Sequence, residues 1–174
     1  FEECFMTFSK SGYLSEKMYI AESDSELQNV IYCSTVELIP KEQDGKGAAT
    51  GVVKSATTAK GVGNIELNIR RGIHNIYTDV VMKTVTDSNG MYKIQDLPAG
   101  NYTVEVLDES EEYEMSYFEI KILGNKIIAN QNGIVSPEMD HAYLRNVLTW
   151  GLNPNDLDSH MVCNFSNGES AHVY

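Results

Sequence analysis

Asp156, Asp158 and His160 fall at alternate positions of the run Asn153-Pro154-Asn155-Asp156-Leu157-Asp158-Ser159-His160. If that run is extended, all three side chains project from one face, because successive residues of a strand point to opposite sides. Two carboxylates and an imidazole converging there could hold a divalent cation, since Asp oxygen and His nitrogen are both ordinary ligands. A structural alternative stands beside it. Asp residues near Gly151 and Pro154 also hydrogen-bond their own turns, and Trp150 on a strand is usually core.

Other chemistry lacks its parts. Ser159 and His160 are adjacent, so on a strand they face opposite ways, and no G-x-S-x-G elbow is present. There is no HExxH, and Gly61-Val62-Gly63 is not followed by the rest of a phosphate-binding loop. His74, His141 and His172 are isolated. Residues 105–114 carry six carboxylates in ten positions, which reads as a solvated acidic loop; the alternative, a calcium site, lacks the ligand spacing of an EF-hand. Cys4, Cys33 and Cys163 form no CxxC and read as buried free thiols, with a Cys4–Cys33 bridge as the alternative. These residues predict a protein that is not an enzyme and has no cofactor beyond the candidate cation.

The elements that would position such residues are strands. Ten Tyr, 13 Gly and many β-branched residues in 174 favour short strands and turns, and no apolar run is long enough to span a bilayer. With 13 basic against 25 acidic residues, net −12, a nucleic-acid or anionic-membrane surface is excluded, because no basic patch exists to meet it. The clearest stretch is 86–106. Asp87-Ser88-Asn89-Gly90 offers a hairpin turn through the positive φ that Asn and Gly tolerate. Tyr92 and Ile94 then share one face, Leu97-Pro98-Ala99-Gly100 turns the chain, and Tyr102, Val104 and Val106 share the next. Ile65, Leu67 and Ile69 alternate in the same way. Further strands are expected over 76–85, at 117–123 with Phe118, Ile120 and Ile122 inward, and at Ile127-Ile128. A competing signal lies over 23–31, where Ser23 and Glu26 have capping-box spacing and a short helical turn between strands is the alternative reading.

The run T-D-x-x-G-x-Y-x-I-x-x-L-x-x-G-x-Y-x-V at 86–104 resembles the signature of bacterial prealbumin-like β-sandwich modules, the carboxypeptidase regulatory-like domains and the collagen-adhesin B-type repeats. The resemblance covers about residues 51–128. It implies an all-β fold of tandem prealbumin-like (immunoglobulin-like) antiparallel β-sandwich modules. The later run L-x-W-G-x-x-P-x-D-L-D-S-H resembles the start of an uncharacterised β-sandwich family. Collagen-adhesin relatives also imply a Lys–Asn isopeptide bond, for which Lys54 and Asn130 or Asn132 are candidates with Glu105 as the assisting acid. Glu105 alternates with the buried face, however, and the relatives' E-T-x-A-P segment is absent.

Landmarks at Tyr13, Gln28-Asn29 and 36–40 recur in order at Tyr113, Gln131-Asn132 and 133–137, a degenerate repeat one small module long. The expected organisation is the C-terminal half of a preceding sandwich at 1–40, a linker at 41–50, a complete sandwich at 51–137 and the opening of another at 138–174. Starting at Phe1 and stopping within a patterned segment, the sequence reads as an internal piece of a longer chain. The expected role is a non-catalytic structural or adhesive stalk segment of a large bacterial cell-surface or secreted protein, hence extracellular. Its partners would be neighbouring sandwich modules of the same chain, and an extracellular protein or carbohydrate ligand. Alternatives are a module binding carbohydrate or a divalent cation, and an accessory domain of a peptidase encoded elsewhere in the chain.

Overall fold

In a computed structural model, the structure describes residues 4–20, 35–139, 161–164 and 167–173. The chain forms two compact units, Phe1–Met139 and Asp140–Tyr174. In the first, β1 (Phe5–Phe8) and β2 (Glu16–Tyr19) make an antiparallel hairpin. A 3-10 turn at Lys41–Gln43 leads into β3 (Lys46–Ser55), so this strand begins inside the stretch expected as linker. There follow β4 (Glu66–Arg71), β5 (Met82–Val85), β6 (Met91–Pro98), β7 (Gly100–Leu107), β8 (Ser116–Ile122), β9 (Ile127–Ile128) and β10 (Gly133–Val135). In the second unit, β11 (Met161–Asn164) pairs antiparallel with β12 (Ser170–Val173).

The first unit is an all-β sandwich. One sheet has the order β10-β3-β6, with β9 also on β3; the other has the order β5-β4-β7-β8. Alternating apolar residues face inward from both, and Ala49, Val53, Tyr92, Ile94, Leu67, Ile69, Tyr102, Val104, Ile120 and Val135 meet in one core. Burying such side chains contributes about 1.5–3 kcal/mol each before the entropy of ordering is set against it. In the 86–106 stretch Tyr92 and Ile94 are buried on β6 and Tyr102, Val104 and Val106 on β7, as read, but β6 runs on through Leu97 and Pro98, which were expected in the turn, and β7 begins at Gly100.

Three features depart from simple alternation. First, β3 takes β9 and β10 as parallel neighbours, in an otherwise antiparallel arrangement. Second, the strand expected over 76–85 is only Met82–Val85. Asn75 prevents the rest: its Oδ1 accepts the Tyr77 and Thr78 N–H groups, and its Nδ2 donates to the Arg71 carbonyl, fixing a turn. Third, both faces of β7 are buried, because the outward residues Asn101 and Thr103 lie beneath other parts of the chain.

Candidate functional site

What covers the outer face of β7 is the N-terminal segment together with the turn after β4. Met18 of β2 bridges in parallel to Ile73, the Tyr19 N–H donates to the Ile73 carbonyl at 2.9 Å, and the Ile73 N–H donates to the Lys17 carbonyl at 2.9 Å. Gly72, at φ +108, brings the chain against the Tyr19 ring, where a Cβ would stand 2.9 Å from Cε2. Residues 35–41 tie back to the same segment: the Leu14 N–H donates to the Ile39 carbonyl and the Lys41 N–H to the Gly12 carbonyl. Met18, Tyr19, Ile39 and Ile73 are buried there. The segment expected to be half of a separate preceding module is thus docked on the sandwich.

A polar network locks this junction. Glu16 is 3% exposed, and its Oε2 accepts both the Asn101 N–H and Nδ2, each at 2.7 Å. Its Oε1 accepts from Arg71 Nη2 at 3.3 Å. Arg71 Nη1 also donates to the Ala99 carbonyl and to the Tyr102 hydroxyl, with the guanidinium 5.0 Å from that ring. Asn101 Nδ2 reaches the Glu37 carbonyl at 3.0 Å, and Glu37 pairs with Lys121. A carboxylate taken out of water is tolerated only when paired and hydrogen-bonded in this way.

A second carboxyl lies on the neighbouring strand. Glu119 Oε1 accepts the His74 N–H at 2.9 Å and sits 3.0 Å from the Thr103 hydroxyl. The residue as a whole is exposed, yet its carboxyl turns inward to buried Thr103. Burial pushes that carboxyl up to about 7; the Glu16 charge pushes the same way, and the His74 N–H and Thr103 hydroxyl pull back. Beside the network an apolar groove of about 620 Å³ is walled by Leu14, Val81, Leu97, Pro98 and Tyr102, with Arg71 at its edge.

The residues singled out in the sequence fare differently. Asp156, Asp158 and His160 lie outside the described residues, as do Cys33 and the alternative helical turn over 23–31. Cys4 is a free thiol, exposed rather than buried. In the acidic loop, Asp108 accepts the Ser110 hydroxyl and the N–H groups of Ser110, Glu112 and Tyr113, so its oxygens close their own turn. Among the described residues no group of three or more His, Cys, Asp or Glu side chains could hold a metal ion. Glu105 points outward as expected and pairs with Arg70 at 2.7 Å. Asn132 Oδ1 accepts the Val52 N–H, and Lys54 faces away from the core side of β3 that Val53 and Ser55 occupy. Lys54 on β3 and Glu105 on β7 thus face outward from opposite sheets, and the core holds the assisting acid away from the lysine. No motif pointed to Glu16 or Glu119; for Glu119 the signal was only a charged residue at an outward strand position, and for Glu16 there was none.

The model of the family described as BOS complex subunit NOMO1-like, second beta sandwich domain, matches residues 47–136. No curated protein sequence matches the chain. Among solved structures, the Bacillus anthracis TIE protein is similar at TM-score 0.41 and 12% identity, over 78% of this chain and 24% of that one. GBS52, the minor pilin of Streptococcus agalactiae, is similar at TM-score 0.43 and 14% identity, over 76% and 63%. A cohesin–X-dockerin complex from Acetivibrio cellulolyticus is similar at TM-score 0.36 and 17% identity, over 52% and 58%. This chain spans about a quarter of the first of these and less than two thirds of the other two.

Proposed function

The chain belongs to the family of the BOS complex subunit NOMO1-like second β-sandwich domain, and from that premise we propose that it is a non-catalytic spacer that bears tension and sets the direction of its neighbours. One observation carries this reading. The chain enters the sandwich at Lys46, at one end of β3, and leaves past Val135, level with Ser55 at the other end of the same strand. β9 and β10 run parallel to β3 along most of its length. The rungs include Ala48 N–H to the Lys126 carbonyl, Gln131 N–H to the Thr50 carbonyl and Ala56 N–H to the Val135 carbonyl. Pulling the two ends apart slides parallel neighbours past each other and loads these bonds together.

The partners in this reading are adjacent modules of the same longer chain and, because the family description names a subunit of a complex, other subunits of an assembly. The motif at 86–104 extends the reading to a stalk of the kind formed by prealbumin-like adhesin modules, at a cell surface or in a secreted protein. Among the described residues no helix is long and apolar enough to cross a membrane.

Single-molecule pulling tests the reading. Handles at Cys4 and Glu138→Cys, in a Cys33→Ser, Cys163→Ser background, should give a much higher sandwich unfolding force than handles at Thr58→Cys and Ser88→Cys, with Cys4→Ser added. The latter pair sits at one end of the sheets, where strands peel rung by rung. Equal forces in the two directions would remove the basis for a spacer under load.

A further inference from the structure

We propose that Asn167-Gly168 is a site of spontaneous covalent modification, the place where this chain first converts an asparagine to isoaspartate. The inference is independent of the spacer reading.

The sequence holds Asn-Gly pairs at 89–90, 132–133 and 167–168. In such a pair the glycine nitrogen, unhindered by a neighbouring side chain, can attack the side-chain carbonyl carbon of the asparagine. A bond forms between that nitrogen and Cγ, and the bond from Cγ to Nδ2 breaks. The glycine nitrogen gives up its proton, and the side-chain nitrogen leaves with it as ammonia. Water then opens the five-membered ring at one carbonyl or the other, giving aspartate or isoaspartate, with no oxidant or reductant involved. The step needs a glycine N–H free of other bonds, an asparagine side chain folded back over it, and room for the backbone to turn.

Two of the pairs lack these conditions. The Gly90 N–H donates to the Asp87 carbonyl at 2.8 Å, and Gly90 is buried so closely that a Cβ would stand 2.5 Å from the Val53 carbonyl oxygen. At the second pair, Asn132 Oδ1 accepts the Val52 N–H at 2.9 Å, which ties the side chain to the neighbouring strand β3. Gly133 is itself buried in β10, with the Phe118 ring 2.5 Å from where a Cβ would stand.

The third pair meets them. Asn167, Gly168 and Glu169 are all exposed, in the turn that joins Asn164 to Ser170 at the end of the β11–β12 hairpin. Gly168, at φ +85, has nothing within 4 Å of a Cβ position, and no acceptor holds its N–H among the described residues. Asn167 Oδ1 accepts the Glu169 N–H at 3.0 Å, which closes a ring of atoms containing both the Asn167 Cγ and the Gly168 nitrogen. Asn167 Nδ2 donates to Glu169 Oε2 at 2.9 Å, so the whole amide lies folded over the backbone that follows it. The side-chain bond of Asn132 thus reaches another strand, whereas those of Asn167 reach across its own glycine. Reacting atoms held together in advance have already met part of the entropic cost of reaction.

Conversion removes the Nδ2 donor from Glu169 and sets a second carboxylate beside it, in a chain already at net −12. Isoaspartate also routes the main chain through the former side chain, which lengthens the turn.

Aging the full chain tests this. One sample is kept folded at mildly alkaline pH and another at the same pH in guanidinium chloride. Peptide mass spectrometry with fragmentation locates the products, and enzymatic carboxyl methylation counts isoaspartate. In the folded chain Asn167 should convert several-fold faster than Asn89 or Asn132. In denaturant the three rates should converge, because only the shared dipeptide then sets them. Asn167 should convert at least as fast folded as unfolded, and Asn167→Gln should remove most of the early isoaspartate of the folded chain. Asn89 or Asn132 keeping pace with Asn167 in the folded chain overturns the proposal. So does a rate at Asn167 that rises several-fold in denaturant, since the turn would then protect the pair rather than prepare it.

Discussion

Glu16 shows how much one side chain can do when its position is covered. It satisfies the Asn101 backbone and side chain and the Arg71 guanidinium at once, from a site nearly closed to water. Hydrogen bonds to a charged group are each worth about 1.5–3 kcal/mol, and removing one partner leaves the others unpaired. Glu16→Ala should therefore cost about 3 kcal/mol in urea unfolding, seen as a lower midpoint with an unchanged slope. Glu16→Gln should recover part of it, because the amide oxygen can still accept from Asn101. The same contacts bear on the Asn101-Tyr102-Thr103 sequon. Asn101 is 8% exposed and its Nδ2 is engaged by Glu16 and Glu37, so a glycan there and a docked segment exclude each other. Material recovered folded from a eukaryotic secretory host is expected to be unmodified at Asn101 by peptide mapping. An occupied Asn101 with the Tyr19 amide still protected would contradict this. Alternation in the sequence told which way Asn101, Thr103, Glu105 and Glu119 point. It could not tell that the chain returns over that face, because the cover comes from residues far away in sequence.

At the scale of elements, turn chemistry decided where strands stop. In the 87–90 turn, Asp87 Oδ1 accepts the Asn89 and Met91 N–H groups, and only Gly90 takes positive φ, at 75°. The turn was legible, while its closure by a carboxylate is a side-chain matter that residue type alone leaves open. The 108–113 loop is built the same way. Partial burial pushes the Asp108 carboxyl upward. The Ser110 hydroxyl and the three N–H groups it accepts outweigh that and hold it below its ordinary 3.8. A depressed carboxyl stabilises above its unfolded value and loses that contribution as pH falls through the folded one. The Ser110, Glu112 and Tyr113 amides should therefore keep their protection down to about pH 4 and lose it below, and Asp108→Ala should lack it throughout. Edge strand β6 carries a further device. Its register with β3 shifts between Gly47 and Ala49, and Asp96, at φ 59, breaks the flat edge with a charge. Ile94 and Leu97 are both buried although three residues apart, a spacing that the bulge accommodates; with Leu97 assigned to the following turn, the sequence reading missed it.

For the whole first unit, the pairing of β3 with both β6 and β9/β10 sets the order in which parts yield. The alternating pattern at 65–69 and 86–106 made the sandwich legible, whereas the parallel pairing of β3 with β10 was not, since it joins residues about eighty apart and no local pattern specifies it. Under tension from Cys4 to residue 138, the N-terminal segment is held through two backbone bonds at Ile73, the Glu16 network and the ties to 35–41, far fewer than hold β3. The junction should open first. At roughly 3.3–3.6 Å per extended residue, freeing the stretch before Lys46 adds roughly 140 Å less its folded span, and freeing the sandwich up to residue 138 adds roughly 300 Å less its own. Two steps in that order are expected, the smaller at lower force. Asn132→Ala, which removes the acceptor of the Val52 N–H, should lower the second force while costing only about 1 kcal/mol at equilibrium. A single step of the summed length would mean that segment and sandwich yield as one body, and that the polar junction is no weaker than the strands it caps.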